Sequence, residues 1–225
     1  MPQSEAPDKK TKITDVISTF LHRHRRTLVV ALAAVLIVVV GLFVYLEVRS
    51  SREESARLAA EEVQELYDEW VEASEEQRPQ LAEQLSERVD TVVQDYSRFY
   101  AAQRSLVVRG EMHWELEEWA RAADDFARAA NGFGDSYLTP IALFNAAAAA
   151  EEAGDVDRAR QLLQQLVDQH TTAEVPRALF TLGRLAEQET NRDEALEYYN
   201  QLVQRHAGSN WTNLARNRII ALSVR

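Results

Sequence analysis

The sequence predicts an all-α protein, with one transmembrane helix followed by a helical-repeat solenoid. Three observations carry this. Glycine (7) and proline (5) are scarce while alanine, leucine, glutamate and arginine abound, a mix that favours helix. A long uncharged apolar run lies near the N-terminus. From about residue 98 onward the chain repeats itself at a spacing of 36 to 37 residues.

The 225 residues carry a formal net charge of −11, so a nucleic-acid partner, which needs a basic surface, is not expected. The charge is unevenly spread. Residues 1–27 hold six basic side chains (Lys9, Lys10, Lys12, Arg23, Arg25 and Arg26) against three acidic ones. There are no cysteines, which excludes disulfides and thiolate metal sites.

Residues 1–12 are polar with two prolines and read as disordered. Ile13, Val16, Ile17, Phe20 and Leu21 have helical spacing and predict a short amphipathic lead-in. Residues 28–46 form an unbroken run of 19 without charge, 14 of them Leu, Ile, Val or Phe. At about 1.5 Å per residue the run spans roughly 28 Å, close to the hydrocarbon thickness of a bilayer. Insertion of those residues is favourable by roughly 4 to 8 kcal/mol. The rivals are a buried core helix and a cleaved signal peptide. The latter would have a shorter apolar stretch and a small-x-small site, which Glu47-Val48-Arg49-Ser50-Ser51-Arg52 does not offer. The expected segments are a cytoplasmic basic tail (1–27), a transmembrane helix (28–48), a linking helical hairpin (49–97) and a repeat domain with a C-terminal capping helix (98–225). The basic flank His22-Arg23-His24-Arg25-Arg26 places the N-terminus in the cytoplasm. The acidic bulk then lies across the membrane, in a bacterium the periplasm.

Beyond the membrane, Ser51-x-x-Glu54 is a capping-box sequence that predicts a helix start. That helix runs to about Ser74, with Leu58, Val63, Leu66, Tyr67, Trp70 and Ala73 in one stripe. Pro79 opens the second helix of the hairpin, with Leu81, Leu85, Val89 and Val92 facing inward.

In the repeats, Ala122, Ala159 and Ala195 are spaced 37 and 36 apart. Four residues after each stands Phe126, Leu163 or Tyr199. Twelve before each stands Gly110, Ala147 or Gly183, and sixteen before each is Leu106, Leu143 or Leu179. Antiparallel helices approach closely where side chains are small, so Gly110 and Ala122 are expected to face each other, with Phe126 and Leu106 filling the space beyond. Each unit leaves apolar surface for the next to cover. The surplus length falls in connectors such as 132–135. Ser209 or Asn210 caps a last helix, with Trp211, Leu214, Ile219 and Ile220 closing the array.

These residues resemble the tetratricopeptide repeat. The first unit, about 103–136, supplies Leu106, Gly110, Trp119, Ala122 and Phe126. The second, about 140–173, supplies Leu143, Ala147, Val156, Ala159 and Leu163. The third, about 176–209, supplies Leu179, Leu182, Gly183, Ala195 and Tyr199. The units exceed the usual spacing, the second lacks its aromatics, and Arg192 stands where an aromatic is common. The whole layout resembles the bacterial inner-membrane ancillary subunits of the Sec translocon, single-pass proteins with a periplasmic tetratricopeptide domain.

The resemblance implies that the first helix of each unit lines a groove for extended or helical peptide. Mapped onto this chain, its residues are Arg104, Val107, Trp114, Phe144, Glu151, Phe180, Arg184 and Glu187. Val107, Trp114, Phe144 and Phe180 are apolar for solvent-facing positions. An equal reading has the hairpin or the last helix fold into the groove and cover them. No phosphate loop, G-x-S-x-G or H-E-x-x-H is present. His113 reads as a packing residue, and Asp124-Asp125 and Glu151-Glu152 as solvated helix faces. Asn210-Trp211-Thr212 matches a glycosylation sequon but reads as a helix cap. No enzyme, cofactor, metal or small-molecule substrate is expected. The expected partners are proteins, as translocon subunits or exported clients, with a chaperone or accessory role. The alternative is an envelope scaffold for a division, wall or outer-membrane assembly complex.

Overall fold

The computed structural model describes residues 9–133 and 136–224, with side chains from Phe20 onward except at 21, 22 and 28. Among them every regular element is a helix: α1 (Lys9–Glu72), α2 (Arg78–Asp95), α3 (Tyr100–Glu115), α4 (Trp119–Asn131), α5 (Leu138–Glu152), α6 (Val156–Gln169), α7 (Glu174–Gln188), α8 (Arg192–Arg205) and α9 (Trp211–Ser223). The expectation of a disordered 1–12 lies largely outside the described residues, and its last four positions are helical. So do the side chains of Ile13, Val16, Ile17 and Leu21 in the expected lead-in.

The chain divides into two units, Met1–Glu53 and Glu54–Arg225. The first holds most of α1. Its apolar run exposes its large side chains (Ile37 is 72% exposed), as the core helix of a soluble domain would not. By length and composition this helix can cross a membrane. The capping box expected at Ser51 is not formed, because Ser51 and Glu54 both lie in the interior of α1. Continuous backbone bonding leaves no free helix start for a side chain to cap.

The second unit begins with the end of α1. There Ala56, Ala59, Ala60, Val63 and Trp70 are buried, and α2 buries Leu85, Val89 and Val92. Pro79 sits in the first turn of α2, where its missing N–H costs nothing. Small alanines take the place expected for Leu58, which is exposed.

Three helix pairs follow: α3–α4, α5–α6 and α7–α8. All three turn in the same way. Glu117, Gly154 and Thr190, at equivalent positions, adopt left-handed backbone with φ of 58°, 80° and 60°. The next N–H reaches back to close each helix, Glu118 to His113, Asp155 to Ala150 and Asn191 to Ala186, each at 2.9 Å. This is a Schellman ending. The following helices are capped by Asp155, whose carboxylate accepts from the Arg158 N–H at 3.1 Å, and by Asn191, which accepts from the Glu194 N–H at 3.4 Å.

The small-to-large pairing differs from expectation in its partner. A Cβ at Gly110 would lie 2.7 Å from the Phe126 ring, and one at Gly183 would lie 2.5 Å from the Tyr199 ring. The aromatic ring itself rests on the glycine. In the middle pair Ala147 and Leu163 trade the same volume the other way, and both line one cavity.

The Ser209 hydroxyl caps α9 by accepting from the Trp211 N–H at 3.3 Å. Thr212 and Ala215 supply its buried face, with Trp211 and Ile219 half-buried. Leu214 (47% exposed) and Ile220 (63%) point outward, contrary to expectation. The connector 132–137, where surplus length was expected, contains positions 134 and 135, outside the described residues. The fold is an all-α tetratricopeptide-like solenoid that carries one long N-terminal apolar helix.

Candidate peptide groove

Helices α3, α5 and α7 contribute one residue row each to two adjoining cavities. The larger, about 360 Å³, is lined by Glu111, Trp114 and Glu115 of α3, Phe144 and Ala148 of α5, and Tyr67 of α1. The smaller, about 220 Å³, is lined by Phe144, Glu151, Phe180, Arg184 and Trp211. Phe144, Ala148 and Arg177 border both.

The rings are held in place by their neighbours. Trp114 packs edge-on against Trp119 with centroids 4.8 Å apart. Phe180 lies 5.5 Å from Tyr199 and 5.2 Å from Trp211. The Arg177 guanidinium stands 4.0 Å above the Phe144 ring, a cation–π contact. Arg184 makes a two-pronged bond to Glu151 at 2.7 and 2.6 Å. Those hydrogen bonds raise the Arg184 pKa against the opposing effect of burial. Glu111 keeps much of its surface exposed, yet the protein atoms around it raise its carboxyl above the ordinary range.

Of the residues expected in the groove, the structure brings together Trp114, Phe144, Glu151, Phe180 and Arg184. Three stand elsewhere. Arg104 donates to Gln64 of α1 at 3.3 Å. Val107 is half-buried against the core. Glu187 accepts from the Tyr199 hydroxyl at 2.6 Å and pairs with Arg218 of α9. Burial, then this hydrogen bond, pushes the Tyr199 phenol up. Residues of both the hairpin and the last helix, expected as possible covers, stand at the cavity edges. Tyr67 flanks one cavity and Trp211 the other, and the space between them is left. Tyr67 was read only as a core stripe, because a contact 40 or more residues away in sequence leaves no periodic trace.

Behind the groove, α2, α3 and α4 meet around a buried charge cluster. Arg109, 7% exposed, binds both oxygens of Asp125 at 2.7 Å and Asp90 at 2.6 Å. Burial works against its charge, but the bonds and charges of Asp125 and Asp90 outweigh that and raise its pKa. Asp125 is 4% exposed, so it is not a solvated face as expected. Asp124 is exposed and pairs with Arg158 at 2.8 Å, and Glu151 is half-buried in its pair with Arg184. His113 is 8% exposed, with Nδ1 2.6 Å from Glu118. It lines a cavity of about 630 Å³ with Arg78, Met112 and Arg121. Among the described residues no group of three or more His, Asp or Glu is placed to hold a metal ion.

This architecture defines a class, the helical-repeat solenoids that present a groove built from the first helix of each pair. The sequence pattern of the tetratricopeptide repeat matches residues 141–172 and 177–209, the second and third pairs. A curated protein described as "TPR repeat-containing protein", from Treponema pallidum (strain Nichols), is 30% identical over 114 residues, 51% of this chain and 48% of that protein. The chain therefore spans about half the length of the curated relative it matches. Among solved structures, the crystal structure of MamA is 17% identical and has a TM-score of 0.45, covering 56% of this chain and 70% of that one. Its tetratricopeptide repeats make this chain a carrier of a protein–protein interaction module.

Proposed function

We propose that this chain is a single-pass inner-membrane protein whose periplasmic repeat domain holds segments of exported proteins beside the translocon, as an accessory factor or chaperone. The observation that carries the reading is the row Trp114, Phe144 and Phe180, three rings on successive repeats bordering two cavities that the protein leaves unfilled. Aromatic residues held rigid at a cavity edge are the usual anchors of peptide recognition. The anchor itself rests on the uncharged run 28–46 and on the helix it forms. Orientation rests on the basic flank at Arg23, Arg25 and Arg26.

Photo-cross-linking in intact membranes tests the reading, with a benzophenone amino acid at Trp114 or at Phe180. The expected products are adducts to translocon subunits and to many unrelated exported chains. A few stoichiometric partners from one assembly would instead favour the envelope scaffold. Absence of any adduct to a translocon subunit or exported chain would sink the proposal.

A further inference from the structure

We infer that the larger groove cavity receives a lysine or arginine side chain of the bound segment, an inference that rests on the groove being a peptide site. Glu111 and Glu115 stand one turn apart on α3, both on the wall of this cavity. Like charges at that spacing repel each other. Asp125, Glu151 and Glu194, buried or half-buried in the repeats, pair with Arg109, Arg184 and Arg160. Among the described residues neither Glu111 nor Glu115 has a cationic partner. Glu111 stays exposed, but the protein atoms packed around its carboxyl raise it above the ordinary range, and a cation beside the pair relieves their mutual repulsion.

The walls are suited to the same guest. Tyr67 and Trp114 border the cavity beside the two carboxylates, close enough that Glu111 and Glu115 add to the effect of burial in raising the Tyr67 phenol. Among the described residues no guanidinium or ammonium lies over either ring. The chain's own Arg177, seated on Phe144 at 4.0 Å, shows that a ring of this cavity accepts a cation. At about 360 Å³ the space takes one long side chain. The smaller cavity has the opposite character. Arg184 and Glu151 satisfy each other, Arg177 is seated on the Phe144 ring, and Leu163, Phe180 and Trp211 leave an apolar hollow. The bound segment thus places a basic side chain toward Trp114 and an apolar one toward Phe180.

The test uses the full-length chain, immobilised in detergent, and a pool of soluble dodecapeptides randomised at six central positions. Retained peptides are sequenced. Lysine and arginine should be enriched about fivefold at one position, with an apolar residue enriched at another. The double variant Glu111→Gln/Glu115→Gln should erase the basic enrichment and keep the apolar one, with an unchanged circular dichroism spectrum, both side chains being exposed. Apolar enrichment with no basic preference, or a basic preference untouched by the double variant, overturns this inference and leaves the groove standing. Retention of no sequence above the bare resin contradicts the groove reading, and this inference with it.

Discussion

In the third repeat Gly183 lies under Tyr199, and the pair is wrapped in Leu179, Leu182, Leu185 and Leu202, all at or below 1% exposure. In the first repeat Gly110 lies under Phe126 in the same way, but the surrounding helices bury Gln103, Ser105, Arg109, His113 and Asp125. Those five account for most of the buried polar side chains among the described residues, with Thr139 and Thr212 the others. The turns are alike in both repeats, down to a left-handed residue that is not glycine. The difference lies in what each repeat packs against. The third is followed by α9, which approaches through Trp211 and Arg218. The first is preceded by the α1–α2 hairpin and joined to it through Asp90, Arg109 and Asp125. The tetratricopeptide pattern matches the second and third repeats.

The largest expected effect breaks this contrast at Asp125. Asp125→Ala leaves Arg109 buried with only the outlying Asp90, and should cost about 3–5 kcal/mol in denaturant unfolding. The double replacement Arg109→Met/Asp125→Leu should recover most of that loss, because no uncompensated charge remains. A recovery of nothing would mean that the charges carry more than pairing.

Next comes the glycine contact. Gly183→Ala drives a methyl into a fully buried ring and should cost about 1–3 kcal/mol. Combining it with Tyr199→Leu imitates the Ala147–Leu163 pair of the second repeat. The two changes should couple favourably in a double-mutant cycle. Additive losses would show that the volumes do not trade.

The smallest effect compares the turns. Thr190→Gly relieves a β-branched residue from left-handed backbone and should stabilise the domain by about 0.5–1 kcal/mol. Gly154→Ala should lower stability by about 1 kcal/mol, readable as opposite shifts in melting temperature.

The contrast between repeats also explains what could be read in advance. Repeat spacing, helix pairing and the small-to-large rows were legible, because stacking imposes a period on Gly110, Ala147 and Gly183 that any alignment reveals. Five of the eight residues expected in a groove stand on the walls of the two cavities, where their register on the first helices puts them. Asp125 was not: a carboxylate beside another carboxylate looks solvated until Arg109 is found on a different helix. Glu187 looked like a groove residue because Arg218 lies 31 positions away, on a helix outside the repeat period. The left-handed turn at Glu117 was hidden because its sequence lacks the glycine that marks the same turn at Gly154. There the backbone bonds that close the helix outweigh local preference.

The central claim is that the groove, and not the surface around the buried Arg109–Asp125 cluster, holds proteins. The most direct measurement compares cross-linked or co-purified protein from membranes carrying the wild-type chain and the pair Trp114→Ala/Phe180→Ala, with melting temperature recorded alongside. The account predicts that captured protein falls at least about tenfold while the fold persists. Undiminished capture by a folded Trp114→Ala/Phe180→Ala chain would contradict it.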